Sequence, residues 1–254
     1  MARIACLLAL ALALMACQST SPTKSKTDTA KDRIKLAEIN TQLAIAYMRD
    51  GDNELALKKL EKAVEADPKS AGAHNALGLL YTRLGEADQA EQHYKAALSL
   101  EPKNYSALNN YGQFLCQQTR FEEGQARFQE AIKNPLNRAP ENALTNAGTC
   151  ALQAKDRTGA EQHFRAALQL DPRLAPALLS MAQLSVDQEN YLQARGYYQR
   201  YLEVGSQNPR TLWLGIRIEH GMDDQDSVSS YAMQLKNKFP DSSEYGLFQQ
   251  GKFD

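Results

Sequence analysis

The pattern of hydrophobic and polar positions divides the chain into three stretches. Ile4 to Ala16 form an unbroken apolar run, IACLLALALALMA, preceded by Arg3 and the amino terminus. Such a run is too short to cross a bilayer as a helix and matches the apolar core of a secretory signal. Residues 18–30, QSTSPTKSKTDTA, are polar, contain Pro22 and have no apolar face. They predict a flexible tether of roughly 20 Å root-mean-square reach. From Lys31 onward the apolar residues fall at helical spacing almost without a break.

The helical part repeats itself. AEQHYKAALSLEP (90–102) and AEQHFRAALQLDP (160–172) agree at nine of thirteen positions. Pro68, Pro102, Pro172 and Pro240 are spaced by 34, 70 and 68 residues. One 34-residue period with a two-residue insertion, placed in NPLNRAP (134–140), accounts for every interval. Small residues recur at position 8 of this period (Ala44, Gly78, Gly112, Gly148, Ala182) and at position 20 (Ala56, Ala90, Gly124, Ala160, Ala194). Large ones recur at position 24: Leu60, Tyr94, Phe128, Phe164 and Tyr198.

This period and pattern resemble the tetratricopeptide repeat, a pair of antiparallel helices A and B whose small residues mark the close crossing. The resemblance implies an all-α superhelix of six hairpins, at residues 37–70, 71–104, 105–140, 141–174, 175–208 and 209–242, within a repeat domain spanning 31–242. The sixth hairpin is degenerate, with Ile216, Val228, Ala232 and Leu235 at the signature places, as suits a terminal repeat. Residues 243–254 are expected to form a short capping helix.

Charge and composition then exclude functions. Lysines and arginines (29) nearly balance aspartates and glutamates (30) and are interspersed with them, so no basic patch is available for nucleic acid. His93 and His163 share one repeat position and read as duplicated, solvated surface residues. Glu122-Glu123 and Asp223-Asp224 fall at hairpin turns and read as solvated caps. No phosphate loop, zinc-protease helix or nucleophile elbow is present. The reading is therefore of a protein with no catalytic residues, metal, cofactor or small-molecule substrate.

The cysteines divide by place. Cys6 lies in the apolar run, while Leu14-Met15-Ala16-Cys17 resembles the lipobox of bacterial lipoproteins. That resemblance implies a signal peptide of residues 1–16, lipidation of Cys17 and a tether over 17–30. Gln18 after the cysteine implies sorting to the outer membrane of a Gram-negative cell. Cys116 and Cys150 fall in the A helices of repeats three and four at similar heights. In an oxidising compartment such a pair is expected to join; two buried thiols acting as small apolar residues are the alternative.

In this repeat class the A helices line the concave face through positions 2, 5, 9, 12 and 13. Those positions hold Glu38, Thr41, Ile45, Met48 and Arg49 in the first repeat, and Asn75, Leu79 and Arg83 in the second. They turn amide-rich in the middle, with Asn109, Gln113, Gln117, Asn142 and Gln153. Ile45, Met48 and Leu79 suit a docking helix or extended segment, or else pack beneath their neighbours. Trp213 beside Arg217 in the sixth repeat is a second candidate patch, either a binding anchor or core for the tail helix.

Lipobox, tether and six repeats together resemble the PilF/PilW group, the lipoprotein pilotins of type IV pilus biogenesis. That resemblance, which extends to the paired cysteines of repeats three and four, implies a partner: subunits of the pilus secretin, localised to and multimerised in the outer membrane. A repeat scaffold for another outer-membrane or cell-wall assembly is the alternative.

Overall fold

A computed structural model describes residues 26–253, which contain thirteen α-helices and no strand. They fall into two compact units, one ending at Ser70 and the other beginning at Ala71. The apolar run and Cys17 lie outside the described residues.

The first unit is one hairpin, α1 (Lys26–Asp50) against α2 (Asn53–Ala66). Ala44 and Ala56 are both fully buried where the helices cross, joined by Leu60 and Ala63. Asp52 caps α2 by accepting from the Leu55 N–H (3.0 Å). Arg33 reaches across to donate to the Ala66 carbonyl (3.0 Å). The tether expected to extend to residue 30 ends earlier, because α1 already begins at Lys26. No glycine or proline follows Pro22 in that stretch, so the helix extends towards the N-terminus at little cost.

The second unit stacks five hairpins and a tail. They are α3 (Ala71–Leu84) with α4 (Ala87–Leu100), α5 (Tyr105–Gln117) with α6 (Phe121–Ile132), and α7 (Pro140–Gln153) with α8 (Arg157–Leu170). Then come α9 (Ala175–Asp187) with α10 (Tyr191–Leu202), α11 (Pro209–Gly221) with α12 (Gln225–Lys238), and α13 (Ser243–Gln249). The A helices α3, α5, α7, α9 and α11 touch in succession, and each B helix also packs on the next A helix. Tyr94, Phe128, Phe164 and Tyr198 are almost wholly buried in these junctions. The expected insertion is the loop 133–139, where the Asn137 side chain donates to the Ala131 carbonyl (2.9 Å).

All six hairpins turn the same way. Position 15 of every repeat has a positive φ: Gly51 and Gly85, then Thr119, Lys155, Glu189 and Asp223. The next N–H donates back to the carbonyl five residues earlier, as from Arg120 to Leu115 (2.9 Å) and from Asp224 to Glu219 (3.0 Å). This bond satisfies a carbonyl that the end of helix A leaves free. Only glycine enters that conformation without strain, so four repeats hold a side chain where none is favoured.

Candidate partner-binding faces

Three surfaces bear the residues that the sequence nominates. On α1, Glu38, Ile45 and Arg49 are exposed. Thr41 is half-buried, with its hydroxyl donating to the Ala37 carbonyl (2.8 Å). Met48 departs from the groove reading and takes the packed one, being only 3% exposed. It follows Ala37 and Ala44 at helical spacing and so belongs to their inward stripe. The spacing rule also misses Ile34, Leu36, Ile39 and Leu43, which are all exposed on the same helix. A rule restricted to groove positions cannot find them, although five large aliphatic residues exposed on one helix is the larger apolar signal.

The second surface runs over α3, α5 and α7. Asn110 donates to the Asn75 side-chain oxygen (3.1 Å), and Asn146 donates to that of Asn109 (2.9 Å). A longer bond from Asn109 to Asn110 (3.5 Å) joins the two pairs into one chain of amides across three helices. Leu79 is half-buried beside this chain on α3, and Arg83 is exposed. Asn110 and Asn146 occupy repeat position 6, outside the positions used to read the groove.

Next to the amides, Cys116 on α5 and Cys150 on α7 are joined by a disulfide. Gln113, Gln117, Thr149 and Gln153 surround it in a shallow recess. The recess is polar but carries no charged side chain. Among the described residues no group of three or more histidines, cysteines or carboxylates could hold a metal ion.

His93 and His163 are half-buried, which departs from the solvated reading. The His93 ring stacks on Tyr81 (5.5 Å) and its Nδ1 lies 3.0 Å from that of His74. Burial, then the neighbouring His74, lowers the His93 pKa; burial also lowers that of His163.

The third surface, on α11, is covered. Trp213 and Arg217 do not form an open patch, because the C-terminal tail lies on them. Two of the turn carboxylates likewise have partners: Glu123 pairs with Arg120, and Asp224 caps α12 and pairs with Arg195.

Comparison with known proteins places this arrangement. The tetratricopeptide-repeat family matches residues 41–106 and 83–141. The middle TPR-like domain of cilia and flagella-associated protein 70 matches residues 136–237. The type IV pilus assembly protein PilF of Pseudomonas aeruginosa is 37% identical over 251 residues, 98% of this chain and 99% of that protein. The chain belongs to the PilF family.

Solved structures of PilF proteins agree with the assignment. The P. aeruginosa PilF structure superimposes with a TM-score of 0.75 at 37% identity, covering 87% of this chain and all of that one. The structure of PilW, a widely conserved type IV pilus biogenesis factor, gives 0.76 at 30% identity, covering 84% of this chain and 98% of that one. A Haemophilus influenzae protein of unassigned function is 29% identical over 166 residues, 65% of this chain and 89% of that protein. No helix among the described residues of this PilF-family chain is long and apolar enough to cross a membrane.

Proposed function

We propose that this PilF-family chain is a lipid-anchored pilotin of type IV pilus biogenesis, binding secretin subunits and promoting their multimerisation in the outer membrane. The observation that carries the reading is the near full-length likeness to PilF at 37% identity. The apolar run, the Leu14–Cys17 lipobox and Gln18 support export, acylation and outer-membrane sorting. Acyl chains, each worth ~0.8 kcal/mol per buried methylene, hold such a protein at one membrane and raise its effective concentration there.

Recognition is assigned to the exposed face of α1. Ile34, Leu36, Ile39, Leu43 and Ile45 lie 40–55% open to solvent on one helix. By helical spacing Leu36, Ile39 and Leu43 share one side of the exposed surface and Ile34 and Ile45 the other, and a group of three exposed aliphatic side chains marks a contact surface more often than isolated residues do. Glu38 and Arg49 flank it with charges that set register. The amide chain of α3, α5 and α7, with Leu79 and Arg83 beside it, is the second contact for the partner's main chain.

The test is the amount of heat- and detergent-resistant secretin multimer in outer-membrane fractions, with the chain present, deleted, or carrying Cys17→Ser. Multimers lost on deletion and mislocalised with Cys17→Ser support the reading. Multimers unchanged in amount and place overturn it, leaving a repeat scaffold with a different cargo.

A further inference from the structure

Trp213, Arg217 and His220 stand at positions 5, 9 and 12 of the sixth repeat. The same positions elsewhere in this unit carry Asn75, Leu79 and Thr82 on α3, and Asn109, Gln113 and Cys116 on α5. The three residues therefore continue the A-helix face onto α11. Spaced i, i+4 and i+7, they share one side of that helix.

This part of the face holds a piece of the chain's own C-terminus. After α13, Gly251 turns the chain with a φ of +67°. Phe253 then lies against α11, its ring stacked on His220 at 4.0 Å between centroids and on Trp213 at 5.8 Å. Phe248 closes the third side edge-on at 6.2 Å. The Phe253 main-chain carbonyl accepts from Arg217 Nε (3.1 Å). One aromatic ring and one peptide carbonyl are thus recognised together, which are the two features any extended segment bearing an aromatic residue presents.

The occupant is lightly held. α13 rests Tyr245 and Phe248 half-buried against the core of Leu212, Ile216 and Leu235, but of the residues beyond it Gln250, Gly251 and Lys252 are exposed and only Phe253 is half-buried. Beyond Arg217, the tail's main-chain bonds run from Gly251 and Lys252 to Phe248 and Leu247, within the tail itself. Short segments with few buried contacts open at low free-energy cost.

We propose that residues 250–253 are an intramolecular stand-in ligand, and that an aromatic side chain on an extended segment of a partner protein displaces Phe253 from Trp213, His220 and Arg217. The tail then acts as a gate on this end of the face, and its effective concentration sets how strong a competing segment must be. The inference does not depend on the partner being a secretin.

The chain has a single tryptophan, so the indole N–H resonance of Trp213 reports directly on the site. The experiment titrates a synthetic peptide of residues 249–254 into the full chain and into its Phe253→Ala variant. The same peptide with Phe253→Ala serves as the control. A tethered tail competes at an effective concentration of order millimolar, so the titration runs to a few millimolar.

The peptide is expected to shift the indole resonance of the Phe253→Ala variant saturably, at least about tenfold more tightly than in the unmodified chain, as follows if the site is open less than about a tenth of the time. The control peptide is expected to shift neither. Equal affinity for both proteins overturns the gate, and no saturable shift in the variant overturns the ligand site. Circular dichroism runs alongside: a Phe253→Ala variant that loses helix or melts well below the parent shows the tail to be a structural cap and overturns the proposal as well.

Discussion

Arg120 donates to Glu91 across the junction between the second and third repeats, at 2.8 Å, and the corresponding junction three repeats on is built with the charges exchanged. Glu91 stands at position 21 and Arg120 at position 16 of the following repeat; three repeats later those positions are Arg195 and Asp224, which meet at 3.1 Å. Between them, Gln125 at position 21 donates to the Ala147 carbonyl (2.8 Å). At these three junctions position 21 is thus a polar link from one hairpin to the next, whatever its charge, whereas Glu161 at the same position of the fourth repeat pairs with Arg165 in its own helix. The Arg195 pair is the deeper one, since Arg195 also binds Glu219, whose side chain is 6% exposed.

Glu91 gives this link a pH signature. Arg120 first, then Lys95 and the Tyr111 hydroxyl, lower its pKa from 4.5 to about 2. A carboxylate depressed in the folded state adds stability that is complete above its unfolded pKa and is lost as pH falls through the folded one. Glu91→Gln is expected to destabilise by about 1 kcal/mol at pH 7, because the pair is partly solvated. The deficit should shrink between pH 4.5 and 2 and be gone below that. Urea melts of parent and variant across that range check it; a deficit independent of pH would assign the effect to packing.

The turn at position 15 makes a prediction of gain. Thr119 has a φ of +60° and is the only β-branched residue among the six equivalents. A β-branched side chain in the left-handed region costs about 1–2 kcal/mol. Glycine removes that strain, and its greater freedom in the unfolded chain returns part of the benefit. Thr119→Gly should therefore stabilise by about 1 kcal/mol, raising the melting temperature by roughly 2–4 °C for a protein of this size. Asp223→Gly should gain less, since aspartate tolerates this conformation better than threonine.

Gly112 should behave in the opposite way. A Cβ there would sit 2.8 Å from Phe128 Cε1 and 3.1 Å from the Gly124 carbonyl oxygen. The ring can move a little, but the backbone oxygen belongs to the facing helix and cannot rotate away. Alanine gains about 1 kcal/mol in helix propensity over glycine, against an overpacking cost of up to about 3 kcal/mol. Gly112→Ala is expected to lower stability by about 2 kcal/mol, measured by thermal or urea melts. An unchanged melt would show that α5 and α6 can separate at their crossing without loss.

These positions also show where reading the sequence works. The 34-residue period locates the start of α3, α5, α9 and α11 to the residue, because small residues at the crossing and a large one at the junction are both steric necessities. It finds Cys116 and Cys150 as a pair for the same reason: identical elements one period apart lie side by side. What it misses depends on contacts between repeats rather than within one. The exchange of charge at position 21 and the amides Asn110 and Asn146 at position 6 each need the neighbouring element in place; for Trp213 the tail is one of the two sequence readings, but the particular residue, Phe253, is not. Met48 takes the packed alternative, because repeat position describes a typical helix, while Ala37 and Ala44 define the inward stripe of this one.

The disulfide between Cys116 and Cys150 makes the last prediction. It spans 34 residues, one repeat period, and so ties α5 directly to α7, the A helix that follows it. Both cysteines are buried, 4% and 2% exposed, beneath the recess of Gln113, Gln117 and Gln153. Closing a loop of that length in the unfolded chain is worth roughly 4 kcal/mol in the chain-entropy model. Reduction, or Cys116→Ala with Cys150→Ala, is expected to lower the midpoint of denaturation by most of that amount. The double variant should then be indifferent to reductant, which separates loss of the cross-link from any effect of reductant elsewhere. If oxidised and reduced protein melt together, the link contributes alignment of α5 and α7 without stability, and the amide contact between Asn109 and Asn146 is enough to hold the two helices in register.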